Sequence, residues 1–126
     1  MDSANIIGRE DGFWRSLDRL VSESAITIDR PKGSTHPRYP DFRYPIDYGY
    51  LGGTKAADGN EIDAWRGSLP ALTVTAIVCT VDLVKRDTEV KLLVGCTPEE
   101  ARTILATSNS GLMHGILVER PCDSND

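Results

Sequence analysis

Apolar residues change their period along the chain, and each change marks an element. Phe13, Trp14, Leu17, Leu20 and Val21 recur at helical spacing with Arg15, Asp18 and Arg19 opposite them, which predicts an amphipathic helix. Asp11 is placed to cap its start, and Ser22, Glu23 and Ser24 form a polar exit. Residues 25–29 alternate, with Ile26 and Ile28 on one face, as a short strand does. Pro31, Pro37 and Pro40 then remove any regular period from residues 30–43, predicting an ordered loop or a strained hairpin. Residues 44–51 are aromatic with one proline, which suits an edge strand or the entry to one. Residues 61–65 read as a strand with Ile62 and Ala64 inward and Glu61, Asp63 and Trp65 on the other side.

The longest β signal covers residues 72–85, is apolar on both faces and is therefore expected at the centre of a sheet. Asp87 and Thr88 suggest a tight turn, with residues 90–94 returning as a second strand. Thr97, Pro98 and Glu100 form a helix start in which threonine caps, proline takes the first position and glutamate completes a capping box. Ala101, Ile104 and Leu105 give that helix its apolar face, and residues 112–118 supply a last strand. The pattern predicts a mainly β, α+β chain: a small OB-like closed barrel of five to six strands, with an N-terminal helix and a helix near the C-terminus.

Composition narrows the class. The 126 residues suit a single domain spanning 1–126, with residues 1–10 and 120–126 as loose tails. A net charge of -5 argues against a general nucleic-acid binder. Cys79, Cys96 and Cys122 are odd in number and widely spaced, so they predict buried or idle thiols in a reducing compartment. No stretch approaches the ~18 apolar residues of a membrane span, and a cytoplasmic protein is expected. A homo-oligomer is expected too, with a small molecule as partner and neither nucleic acid nor membrane.

Charge blocks supply the candidate chemistry. The cations Arg30, Lys32, Arg38 and Arg43, with His36 able to join them, precede an acidic turn holding Asp58 and Asp63. Asp87 and Glu89 lie on a later hairpin. Oxygen ligands from several elements are what a hard divalent cation needs, so Asp58, Asp63 and Asp87 are candidate ligands. Lys32, Arg38, Arg43 and Lys91 are candidate phosphate clamps, aided by tyrosine hydroxyls. Together they are the apparatus of phosphoryl transfer to water.

In three pieces the sequence resembles the soluble inorganic pyrophosphatases that use a barrel fold and magnesium. One is Tyr44-Pro45 followed by Tyr48-Gly49-Tyr50. Another is the 58–63 segment, similar to the family's Asp-x-Asp-Pro-x-Asp signature, and the last is Val84-Lys85 leading to Asp87 and Lys91. Pro31-Lys32-Gly33-Ser34 looks like a further family segment, and the similarity spans residues 25–95. The resemblance implies that Asp58 and Asp63 hold Mg²⁺, that Asp87 serves a neighbouring metal, and that Tyr48 reaches phosphate or the attacking water. It also implies that Lys91, Arg38 and Arg43 clamp phosphate. Departures matter as much: Asn60 replaces the aspartate that handles the nucleophilic water, and an amide cannot accept that proton. Pro40 replaces a glutamate ligand, Glu89 is the substitute for a lost aspartate, and the late Tyr-Lys pair has no counterpart.

Two functions are expected from this. The first is a Mg²⁺-dependent hydrolase that splits pyrophosphate into two phosphates by a metal-activated water. The second is a non-catalytic member of the same fold that binds metal and phosphate, or a nucleotide.

Overall fold

The computed structural model describes residues 3–122. In chain order the elements are α1 (Ser3–Ser22), β1 (Ile26–Arg30), β2 (Asp47–Leu51), β3 (Ile62–Arg66), β4 (Val74–Asp82), β5 (Asp87–Val94), α2 (Pro98–Thr107) and β6 (Met113–Glu119). Six strands form one mixed sheet in the order β1-β2-β3-β5-β4-β6. Neighbours are antiparallel except β3 and β5, which run parallel. Among the described residues nothing pairs β1 with β6, so the sheet is open and the expected closed barrel is not formed.

Both faces of the sheet are packed. On one, Trp14 and Val21 of α1 meet Leu51, Ala64, Ile77 and Leu92. On the other, Ala101 and Ile104 of α2 meet Ala76, Val78, Leu93 and Trp65, joined by Tyr44 and Ile46 from the segment before β2. Strand β4 feeds both layers, Ile77 to one and Ala76 and Val78 to the other, as its apolar pattern requires. The capping box of α2 is present, with the Thr97 side chain accepting from Glu100 N and the Glu100 carboxylate accepting from Thr97 N.

Two expectations about the first helix are corrected. It begins at Ser3 rather than near Asp11, so residues 3–10 belong to the helix and not to a loose tail. Asp11 caps nothing: it lies within the helix and pairs with Arg15 one turn on, at 2.9 Å. Once a turn is nucleated, each further residue adds a hydrogen bond, so the helix propagates through a stretch without apolar periodicity. At the other end Arg120 is tied down, its guanidinium 2.9 Å from Asp18 and its N–H donating to Thr75 O. Residues 1–2 and 123–126 of the expected tails lie outside the described residues.

The turn expected at Asp87 and Thr88 falls earlier. Asp82 Oδ1 accepts from Val84 N and Lys85 N, and Arg86 adopts a left-handed φ of 59°, so the chain has reversed by Asp87. The proline-rich segment is indeed a small hairpin: Gly33 N donates to Tyr44 O, Tyr44 N to Ser34 O, and His36 N to Phe42 O. It folds over the sheet face that carries α2.

Candidate functional site

Strand register assembles the site. The parallel pairing of Ala64 with Leu92 brings Asp63 beside Lys91 on the face that carries Trp65 and Leu93. Tyr48 pairs with Trp65, and Glu89 lies one pleat beyond Lys91 opposite Thr80, so all point to that same face. Lys91 Nζ donates to the Tyr48 hydroxyl at 2.9 Å and lies 3.5 Å from Glu89 and 3.8 Å from Asp63. It also sits 5.1 Å from the centre of the Tyr48 ring, within cation–π range. Burial, then the neighbouring Asp63, pushes the Tyr48 phenol well above its ordinary value, so it stays neutral and accepts from the ammonium.

A bulge between Ile28 and Arg30 shifts the register of β1, and Arg30 ends up opposite Tyr48. Without that extra residue Asp29 would stand there; bulges re-aim side chains in this way. Burial pushes the Tyr44 phenol up, and Arg30 beside it pulls the other way. His36 stacks over Tyr44, its ring 6.4 Å away and inclined by only 14°, and its Nδ1 accepts from Arg38 N. The His36 pKa is lowered first by burial and then by Arg30, Lys85, Arg38 and Lys91, all of which line the same cleft.

These groups line a cleft of about 830 Å³. It also holds carboxylates, but several of them are already engaged. Asp82 caps the β4–β5 turn, Asp63 and Glu89 face Lys91, and Asp29 lies 3.9 Å from Arg30. Among the described residues Arg38 and Lys85 make no ion pair. The lining thus carries four cations, Arg30, Arg38, Lys85 and Lys91, beside five carboxylates, Asp29, Asp41, Asp63, Asp82 and Glu89, and Arg38 and Lys85 are the cations left to meet an incoming oxyanion.

Of the residues expected from sequence, Tyr48, Asp63, Arg38, Glu89 and Lys91 come together here. The others lie elsewhere. Asp58 closes a local turn, its carboxylate accepting from Asn60 N at 3.0 Å and from Asn60 Nδ2 at 3.5 Å, and both residues are exposed outside the cleft. Lys32 is exposed and contributes its backbone N–H to Asp47, while Arg43 Nη1 donates to Gly33 O. Asp87 opens β5 opposite Asp82, beside a separate hollow on the β4–β5 turn. Tyr44, Trp65 and Lys85 also line the cleft and were not among the expected site residues, and Arg30, named in the basic block but not as a clamp, lines it too. For Arg30 the signal in the sequence was its place at a strand end directly before Pro31, where a bulge is tolerated.

Covalent chemistry finds no nucleophile among the buried thiols. Cys96 is buried, and its thiol is pushed up to about 12 by burial and then by Glu100. Cys79 and Cys122 are free thiols that do not line the cleft.

No family model matches the sequence, and no curated protein does. The fold has a solved relative: a crystal structure of an inorganic pyrophosphatase from Neisseria gonorrhoeae superposes with a TM-score of 0.50. The match covers 77% of this chain and 79% of that one at 15% identity, which establishes a distant relationship of fold.

The Mg²⁺ expected from the sequence resemblance sets a requirement on the donor set. Magnesium takes octahedral oxygen ligation through carboxylates and retained waters. Among the described residues no three His, Cys, Asp or Glu side chains converge as such a group. Asp63 and Glu89 do converge, but on the Lys91 ammonium, and Asp58 and Asp87 stay outside the cleft. These residues do not fit a magnesium site.

Proposed function

We propose that the chain is a small-molecule-binding protein on a pyrophosphatase-type fold, and that its cleft holds a diphosphate group through the protein's own cations. The observation that carries this reading is that Arg30, Arg38, Lys85 and Lys91, from four separate parts of the chain, line one cleft with His36. Lys91 supplies a fixed charge oriented by Tyr48, Asp63 and Glu89, and the two arginines offer planar forks suited to phosphate oxygens. A phosphate must compete with two carboxylates for Lys91, which costs free energy, so those carboxylates lower the affinity and select against weaker anions. Three free cysteines suit the reducing cytoplasm, which is the setting proposed for the chain.

Magnesium-dependent hydrolysis of pyrophosphate is the second reading. It is favoured by the name of the fold relative and by the presence of Asp63 and Glu89 on either side of one lysine in the cleft. Phosphate release from pyrophosphate, measured with and without Mg²⁺, separates the two. The binding reading expects release no faster than the buffer blank. Release that requires Mg²⁺ and disappears in Asp63→Ala would establish the hydrolase instead.

A further inference from the structure

The cleft is too large and too aromatic for a bare diphosphate. At about 830 Å³ it falls among sites that enclose whole drug-sized molecules, typically ~300–1,000 Å³. A diphosphate anion on Lys91 would leave most of that volume to water.

One wall is a run of adjoining rings, of which His36 and Tyr44 stack and the others meet tilted or edge-on. From the mouth inward, Tyr39 lies 5.0 Å from His36, His36 6.4 Å from Tyr44, Tyr44 5.3 Å from Tyr48, and Tyr48 4.7 Å from Trp65. The two ends of the run differ in exposure, 56% at Tyr39 and 3% at Trp65. Its inner part meets Lys91 through Tyr48, so the cation and the ring wall are parts of one surface.

The outer part is apolar and uncovered. Tyr39 of the proline-rich hairpin, Val84 of the β4–β5 turn and Leu112 of the α2–β6 connection line the same cleft while 56%, 66% and 56% exposed. Three separate segments thus bring large apolar side chains to one mouth, where no described residue buries them. At the inner end the Trp65 indole N–H is buried without an acceptor. An unpaired donor of this kind costs about 1–3 kcal/mol unless something accepts from it. The cleft also carries Asp41, a carboxylate with no ion pair among the described residues, which can accept from hydroxyl or amino groups.

We infer that the ligand is a nucleoside diphosphate, with the phosphates at Lys91 and Arg30 and the base against the Tyr39 end of the ring wall. This rests on the reading of the cleft as a phosphate site and adds the organic half of the ligand. Phosphates answer the cations, a planar base answers Tyr39, Val84 and Leu112, and ribose hydroxyls answer Asp41. Base–aromatic stacking is sequence-tolerant, because every base has a π-face.

Calorimetric titration of the full chain with pyrophosphate and with adenosine, guanosine, cytidine and uridine 5′-diphosphates tests this. At least one nucleotide is expected to bind about ten-fold or more tighter than pyrophosphate. Tyr39→Ala should narrow that ratio, with a melting curve checking that the exposed substitution leaves the fold intact. Pyrophosphate bound as tightly as every nucleotide would overturn the inference and leave the phosphate reading standing. So would a ratio unchanged by Tyr39→Ala. If none of the five ligands bound, both would fall.

Discussion

Asn60 and Lys91 illustrate how far single residues could be read from the sequence. The signature-like stretch around Asn60 pointed to a damaged catalytic turn, yet Asp58 and Asn60 satisfy one another locally, as Asx turns do. Changing Asn60 to Asp restores the motif on paper. In the structure it acts outside the cleft, so Asn60→Asp is expected to leave pyrophosphate affinity within about two-fold, well under the 1.4 kcal/mol of a decade. Phosphate release gained by that variant would contradict the placement. Lys91, Tyr48, Asp63 and Glu89 were legible as residues of one site, but the pairing of both carboxylates with the lysine was not, because it depends on the register of strands distant in sequence.

His36 gives a test by pH. Its pKa is lowered, so the folded chain holds this proton less well than the unfolded one, and stability falls as pH drops through the ordinary histidine range. A diphosphate in the cleft would offset the surrounding cations and raise the pKa again, so binding takes up a proton. The His36 ring resonance, followed by NMR, should titrate below its ordinary value in the free protein and move upward with saturating pyrophosphate. No movement would place the anion elsewhere.

At the level of elements, local chemistry was read well and backbone irregularity poorly. The capping box of α2 is spelled by Thr97, Pro98 and Glu100, all close in sequence, and it forms as spelled. The bulge that turns Arg30 into the cleft has no periodic signal. Nor does the β4–β5 turn, whose left-handed residue is Arg86 rather than a glycine. The Tyr48-Gly49-Tyr50 stretch has a packing reason that its composition only hints at. A Cβ on Gly49 would run into the backbone of Thr27 and Ile28 in β1. Gly49→Ala should therefore cost about 1–3 kcal/mol in denaturant unfolding. Gly12→Ala in α1, where nothing lies within 4 Å, should stabilise by roughly 0.5–1 kcal/mol. Equal effects at the two positions would contradict the packing account of Gly49.

On the scale of the whole molecule, the mainly β character and the two helices were written in the periodicity, whereas the sheet order was not. The parallel β3–β5 pair joins strands that no short turn connects, and it is this pair that sets Asp63 beside Lys91. Whether a sheet closes depends on how its edges meet, and nothing in the pattern of β1 or β6 encodes that; the described sheet stays open. The same topology decides the function proposed. It gathers Arg30, Arg38, Lys85 and Lys91 into one cleft and leaves Lys32, Arg43, Asp58 and Asp87 on the outside.

The most direct test of that account is a calorimetric titration of pyrophosphate into metal-free protein, wild type beside Lys91→Ala. The account predicts binding without added Mg²⁺, weakened about ten-fold or more by the loss of Lys91 and by raised salt. Binding that appears only with Mg²⁺, survives Lys91→Ala and is lost in Asp58→Ala would contradict it.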